Sequence, residues 1–348
     1  MKMLNLVTYN ILATIYATKE TYPYTDKRYL THHYRSALIK NDLQNMIDRG
    51  CVICLQEVNY EWYGDLLVFF NQNNYNFIIE SYGNKLNDYM GVAIAHPITY
   101  KIIYYTPIKM KDEIYNNIIE PVKNKLEKNI KKSEVCDPKA KQIINPLDSL
   151  SFSIEKNNVA MFLVLRNGPK NYAIGNYHMP CAFADPGAMI IHGLFYTNIC
   201  IELNKIHNRN GALFMCGDMN TKPSDLLIKL LENDSKHIDP LFLKIKKMFK
   251  IDLLRNNVYS LYKYLNDDEP EFTNFVLNKS KDNPNEMYMF RETLDYIFTN
   301  NIKNISKKSV ACINSFEKDQ EHFGIEPLPN ARNISDHLFL YCKIKLLH

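Results

Sequence analysis

The chain has 348 residues, 46% of them apolar and 23% charged, which is enough to bury a substantial core and too hydrophobic for disorder. A formal net charge of +4 permits a polyanionic partner without demanding one, because strong electrostatic binders of nucleic acid are usually more basic. No apolar run approaches the ~18 residues of a membrane span, the polar opening Met1-Lys2-Met3-Leu4-Asn5 is no signal peptide, and the eight scattered cysteines read as buried thiols, so a cytoplasmic location is expected.

In chain order, residues 4–9 alternate and end at Asn10, as a strand feeding a site would. The spacing of Leu38, Leu43, Met46 and Ile47 predicts a helix over 34–49. Strand-like apolar runs follow at 51–55, 91–95, 159–165, 172–177, 213–216, 294–298 and 338–344, with helical stretches near 61–73, 188–206 and 224–231. The last of these opens with Pro223-Ser224-Asp225, an N-cap signal. Cys51 and Cys54 have the spacing of half a zinc site, but no second Cys or His pair completes it. Mixed strands with interspersed helices predict an α/β fold in which two sheets pack together with helices outside. No Gly/Pro/Ser-rich linker divides the chain, so residues 1–348 are expected to form one domain. Residues 109–141 hold nine Lys against six acids with weak periodicity and read as a solvated surface insertion. A lysine-bearing flap over a phosphate track is the functional alternative.

Four runs concentrate the chemistry: Gln56-Glu57-Val58, Gly217-Asp218-Met219-Asn220, Leu294-Asp295-Tyr296-Ile297-Phe298 and Ser335-Asp336-His337. Each adjoins an apolar strand and delivers an acid, amide or imidazole to its end. Acids and a histidine gathered from separate strand ends suit metal-assisted hydrolysis of a phosphate ester, in which the ion takes the phosphate charge, an acid activates water and an imidazole steadies the phosphoryl group. Asp218 and Asn220 are two apart, so on an extended backbone their side chains face the same way, one to activate water and one to hold the phosphate. Asp295 and His337 read as an acid–imidazole pair, the carboxylate fixing the tautomer and favouring the cation. Asp336 is expected at or just outside the metal's ligand shell, and Asn10 beside Glu57, orienting it or a metal-held water.

The ordered motifs resemble the endonuclease/exonuclease/phosphatase superfamily, whose fold is a four-layer α/β sandwich. Within it, Thr8-Tyr9-Asn10-Ile11-Leu12-Ala13, Tyr34-Arg35, Cys54-Leu55-Gln56-Glu57-Val58, Pro270-Glu271-Phe272-Thr273-Asn274 and Leu328-Pro329 are similar to the branch of carbon-catabolite-repressor-type deadenylases, nocturnin, Angel and 2′-phosphodiesterase. The resemblance implies that Glu57 ligates Mg²⁺ or Mn²⁺ and that His178 lies at the scissile phosphate. Phe290 and Phe183 are the candidates for base stacking: Phe290 matches a base-contacting position of that branch, and Phe183 stands where the branch often has Pro. The chain departs from the pattern at Tyr177-His178-Met179-Pro180-Cys181, where Thr-His-Leu is expected, and at Ile334, where Pro is common. No leucine-rich scaffold-binding module is evident.

The resulting expectation is a Mg²⁺-dependent 3′-to-5′ exoribonuclease acting on single-stranded RNA. A DNA repair or DNase-like nuclease, a phosphatase of the same fold, and a non-catalytic RNA-binding relative are the alternatives.

Overall fold

The computed structural model describes residues 3–120, 146–209, 211–232, 240–249, 257–279, 286–317 and 326–347. Along the chain run β1 (Leu4–Asn10), α1 (His32–Asp48), β2 (Val52–Val58), α2 (Tyr60–Gln72), β3 (Tyr75–Ser81), β4 (Gly91–Pro97), β5 (Lys101–Lys109), α3 (Met110–Ile114) and α4 (Pro146–Glu155). Then follow β6 (Val159–Asn167), β7 (Lys170–His178), α5 (Pro186–Asn208), β8 (Ala212–Asp218), α6 (Leu226–Leu231), α7 (Pro240–Phe249), β9 (Tyr259–Ser260) and α8 (Leu261–Asn266). The last described elements are β10 (Asn274–Lys279), β11 (Met287–Glu292), β12 (Asp295–Thr299), β13 (Val310–Ile313) and β14 (Leu340–Ile344).

Two mixed six-stranded sheets dominate, ordered β13-β14-β1-β2-β4-β3 and β5-β6-β7-β8-β12-β9. Their alternation builds four layers. Along β6, Ala160, Phe162 and Val164 face the core shared with α3, α4, α5 and α6, while Met161, Leu163 and Leu165 face the core between the sheets. Along β1, Leu4 and Leu6 point into that central core, and Val7 and Tyr9 point toward α1 and α2. Strands covered on both faces read in the sequence as continuous apolar runs.

Three expectations change. The strands β3 and β5 and the hairpin β10–β11 stand where no strand is predicted, because their residues are mostly half-buried or exposed and show no clear alternation. The Lys-rich segment is no wholly solvated insertion at its start, since Met110, Ile114 and Ile118 pack into the core under α5. Residues 121–145, including the rest of the proposed flap, lie outside the described residues. At α6, Asp225 occupies the cap position, but its carboxylate accepts from the Lys222 backbone N–H at 2.8 Å instead of from the helix.

A buried polar bridge ties the sheets together beneath the site. The Gln56 amide donates to Thr8 Oγ1 at 3.0 Å and to Asn176 Oδ1 at 2.7 Å, and Asn176 donates to the carbonyls of Leu55 and Ala93. All three side chains are fully buried, so their mutual bonding offsets the cost of removing them from water.

Candidate active site

Register assembles the first row of the site. His178 ends β7 opposite Asp218 at the end of β8, and Asp218 lies opposite Asp295 at the start of β12. The second row comes from the other sheet: Asn10 ends β1 beside Gln56, and the loop entering β14 brings Asp336 and His337. Arg35, fully buried on α1, clamps these loops by donating to the carbonyls of Ile11, Leu12 and Ile334, and burial lowers its guanidinium to about 10. Ser335 Oγ donates to the Asn10 carbonyl at 2.6 Å.

Asn10 is completely buried, and its orientation is fixed by its neighbours. Its amide nitrogen donates to Glu57 Oε1 at 3.0 Å and to Asp218 Oδ2 at 2.9 Å, while its oxygen accepts from the Leu12 N–H. Carboxylates accept only, so the nitrogen must face them. Asn10 therefore presents hydrogens to the acids, which is the geometry for orienting them rather than for ligating an ion. Glu57 adopts φ +60° at a β-bulge between Gln56 and Val58, a strained backbone for a non-glycine residue. The bulge turns its side chain into the cavity, where its second oxygen accepts from the Ala13 N–H at 2.8 Å.

Asp218 is the hub. Its Oδ2 lies 3.6 Å from the Nε2 of both His178 and His337, and its Oδ1 accepts from the Asn220 N–H at 2.9 Å. That last bond replaces the extended arrangement expected for Asp218 and Asn220. Asn220 turns into the left-handed region at φ +46°, and its amide donates to the Met179 carbonyl. The side chain thus closes a turn at the cavity's edge instead of lying parallel to Asp218.

His337 Nδ1 lies 2.7 Å from Asp295 Oδ2, with both side chains buried. Burial opposes the imidazolium, but the carboxylates of Asp295, Asp218 and Asp336 outweigh it and hold His337 well above the usual imidazole range. His178 is positioned by a residue that the sequence did not single out. The Tyr82 hydroxyl lies 2.8 Å from His178 Nδ1, and burial together with the charges of Glu57 and Asp218 keeps that hydroxyl protonated. Tyr82 and His178 Nδ1 thus share a hydrogen bond that turns Nε2 toward Asp218, 3.6 Å away. One tyrosine among 24, beyond an unpredicted strand, carries no signal of that role.

Asp218, Asp295 and His337 each place a ligand atom within 4.8 Å of the others, close enough to surround a divalent ion. There the imidazolium already supplies the positive charge, and an ion would have to displace its proton. Glu57 and Asp336 offer a better donor set. Both line the same cavity of about 870 Å³, and Asp336 Oδ1 is buried with no hydrogen-bond partner, while Oδ2 accepts from Asn274 at 3.2 Å. Hard carboxylate oxygens facing a wet cavity fit an ion that keeps part of its water shell.

Phe183 and Phe290 meet on the cavity wall, ring centroids 5.7 Å apart and planes at 51°, with Lys222 Nζ 5.2 Å from the Phe290 ring centre. A base held between parallel rings needs about 6.8 Å, twice the stacking rise, so these rings offer an exposed face rather than an open slot.

Among the described residues no helix is long and apolar enough to cross a membrane. No curated protein sequence matches the chain. Solved structures do match over nearly its whole length. ANGEL2, a 2′,3′-cyclic phosphatase, aligns at 18% identity and TM-score 0.63 over 99% of this chain and 96% of its own. The human nocturnin catalytic domain aligns at 17% identity and TM-score 0.57 over 99% and 94%. TDP2 from D. rerio, complexed with a single-strand DNA product, aligns at 13% identity and TM-score 0.55 over 99% and 100%. At such identities these likenesses speak for the fold. The family model for the endonuclease/exonuclease/phosphatase family matches residues 7–337, and the chain belongs to that family of hydrolases of phosphodiester and phosphate bonds.

Proposed function

We propose that the chain is a divalent-metal-dependent phosphodiesterase that shortens single-stranded RNA from its 3′ end and releases 5′-mononucleotides. One observation carries this reading: Asp218, held by Asn10 and flanked by two imidazoles at 3.6 Å, opens on the same cavity as two aromatic rings. Asp218 takes a proton from the attacking water, with Asn10 keeping its carboxylate aimed and apart from Glu57. His337, held cationic by Asp295, donates from Nε2 to a phosphoryl oxygen as charge builds there. His178, fixed by Tyr82, donates from Nε2 toward the leaving oxygen. Glu57 and Asp336 would hold the ion, Mg²⁺ or Mn²⁺, which when bound neutralises phosphate charge. Phe290 and Phe183 give a base an apolar face, worth about 1–3 kcal/mol and indifferent to sequence.

The test incubates the purified protein and an Asp218→Asn variant, with Mg²⁺ or chelator, against end-labelled substrates. These are poly(A), mixed-sequence RNA, 2′-5′ oligoadenylate, RNA ending in a 2′,3′-cyclic phosphate, and single-stranded DNA. Laddering of an RNA from its 3′ end, absent in the variant and in chelator, supports the reading and selects the linkage. Removal of the terminal phosphate alone, or cleavage of DNA alone, replaces it with a phosphatase or a DNA nuclease. Saturable RNA binding without turnover marks a non-catalytic member.

A further inference from the structure

The β10–β11 hairpin forms a two-stranded sheet of its own, and one face of the hairpin overhangs the active-site cavity. Strand alternation puts Asn274, Val276 and Asn278 of β10 and Tyr288 and Phe290 of β11 on that face. The root of the hairpin is fixed at the chemistry, because Asn274 bridges His337 and pairs with Glu292. Each two-residue step outward covers about 7 Å. Phe290, opposite Val276, stands one step from that root, and Tyr288, opposite Asn278, stands two.

The two rings differ in surroundings. Phe290 is partly covered by Phe183 and approached by Lys222. Tyr288 is 54% exposed, so its ring lies open along the cavity's outer rim. Tyrosine suits a strand, which accounts for its place in β11 but not for its exposure over the cavity. A spacing of about 7 Å is twice the rise of stacked bases, the stride of a strand whose bases are splayed apart onto separate platforms.

We propose that Tyr288 is a second base-stacking position, taking the nucleotide one step further from the scissile phosphate than the one meeting Phe290, so that two consecutive bases of a single strand are gripped along the hairpin. This rests on the nucleic-acid reading given above. An enzyme that removes one nucleotide at a time has only one on the released side, so both hairpin positions belong to the strand that is retained. The enzyme therefore discriminates by length, favouring strands that reach Tyr288 over dinucleotides that do not.

The test measures kcat/KM for single-stranded RNAs of two, three, four and eight nucleotides beside bis(p-nitrophenyl) phosphate, for the wild type, Tyr288→Ala and Tyr288→Phe. The wild type is expected to rise in kcat/KM with length and then level off. Tyr288→Ala is expected to lower the ratio of eight-nucleotide to bis(p-nitrophenyl) phosphate activity about 5- to 150-fold, mainly through KM, and Tyr288→Phe to restore it. An unchanged ratio in Tyr288→Ala overturns the proposal, and so does an equal loss on both substrates, which marks a purely structural tyrosine. RNA cleavage by the wild type without length dependence also overturns it, while leaving the exoribonuclease reading intact. Hydrolysis of bis(p-nitrophenyl) phosphate with no cleavage of any RNA overturns that reading itself, and the proposal with it.

Discussion

Replacing Asp295 by Asn tests whether the buried pair with His337 keeps the imidazole charged. The two groups meet at 2.7 Å, and both are buried. Taking about 4 Å between charge centres and an effective dielectric of about 20, their attraction is roughly 4 kcal/mol. In the wild type the raised His337 is fully cationic through neutral pH, so loss of its proton limits activity only in alkaline solution. In Asp295→Asn, burial acts against the cation with only Asp218 and Asp336 to oppose it. The imidazolium then gives up its proton at a lower pH than in the wild type. We expect kcat/KM for bis(p-nitrophenyl) phosphate at pH 8 and saturating Mg²⁺ to fall about 10²- to 10⁴-fold, with activity recovering as pH is lowered. A variant with the wild-type pH profile and less than about a fivefold loss would refute the reasoning, because His337 would then not depend on Asp295 for its charge.

The other predictions concern positioning, stability and the ion. Tyr82→Phe removes the hydroxyl that fixes His178, and a loss of about 2- to 13-fold in kcat with unchanged melting temperature is expected, measured by steady-state kinetics beside circular dichroism. Asn176→Leu takes from the Gln56 amide one of its acceptors, leaving Thr8, and from the carbonyls of Leu55 and Ala93 their side-chain donor, and urea unfolding should show a loss of about 3–5 kcal/mol. His192 is buried against Tyr177, and burial lowers its imidazole to about 3. The unfolded chain therefore binds a proton that the folded chain refuses, so the stability His192 confers is full above about pH 6.5 and is lost as pH falls toward 3, costing about 2 kcal/mol at pH 5. His192→Gln should flatten that acid slope in denaturant titrations from pH 5 to 7.5. Glu57→Gln should require about tenfold or more Mg²⁺ for the same thermal stabilisation, read by melting temperature against ion concentration.

Legibility followed burial. The strands β2, β7, β8 and β12, covered on both faces, announce themselves as apolar runs, and β1 by an alternation that ends at Asn10. The acid or imidazole at the end of three of them (Glu57, His178, Asp218) lines the cavity, and Asn10, which ends β1, and Asp295, which opens β12, are buried beside it. Edge strands were hidden because half-buried residues alternate too weakly to set a period. Met110, Ile114 and Ile118 recur at helical spacing, yet the surrounding lysines masked them. Tyr82, Arg35 and Asn176 act through partners 96, 299 and 120 residues away, pairings that no local pattern encodes. The turn at Asn220 was misread because a two-residue spacing predicts a shared face only while the backbone stays extended.

In the first sheet, β1 lies between β2 and β14, so a strand waits for a partner that follows it by about 330 residues. Ser335 must reach back 325 residues to the Asn10 carbonyl before the two halves of the centre face each other. At about 5–20 residues per second, the ribosome needs roughly 16 to 65 s to cover that distance. Until residues 335–344 emerge, Asp218 and Asp295 stand without His337, and β1 has one edge unpaired and open to other strands. That one stretch therefore closes the sheet and completes the buried cluster in one event.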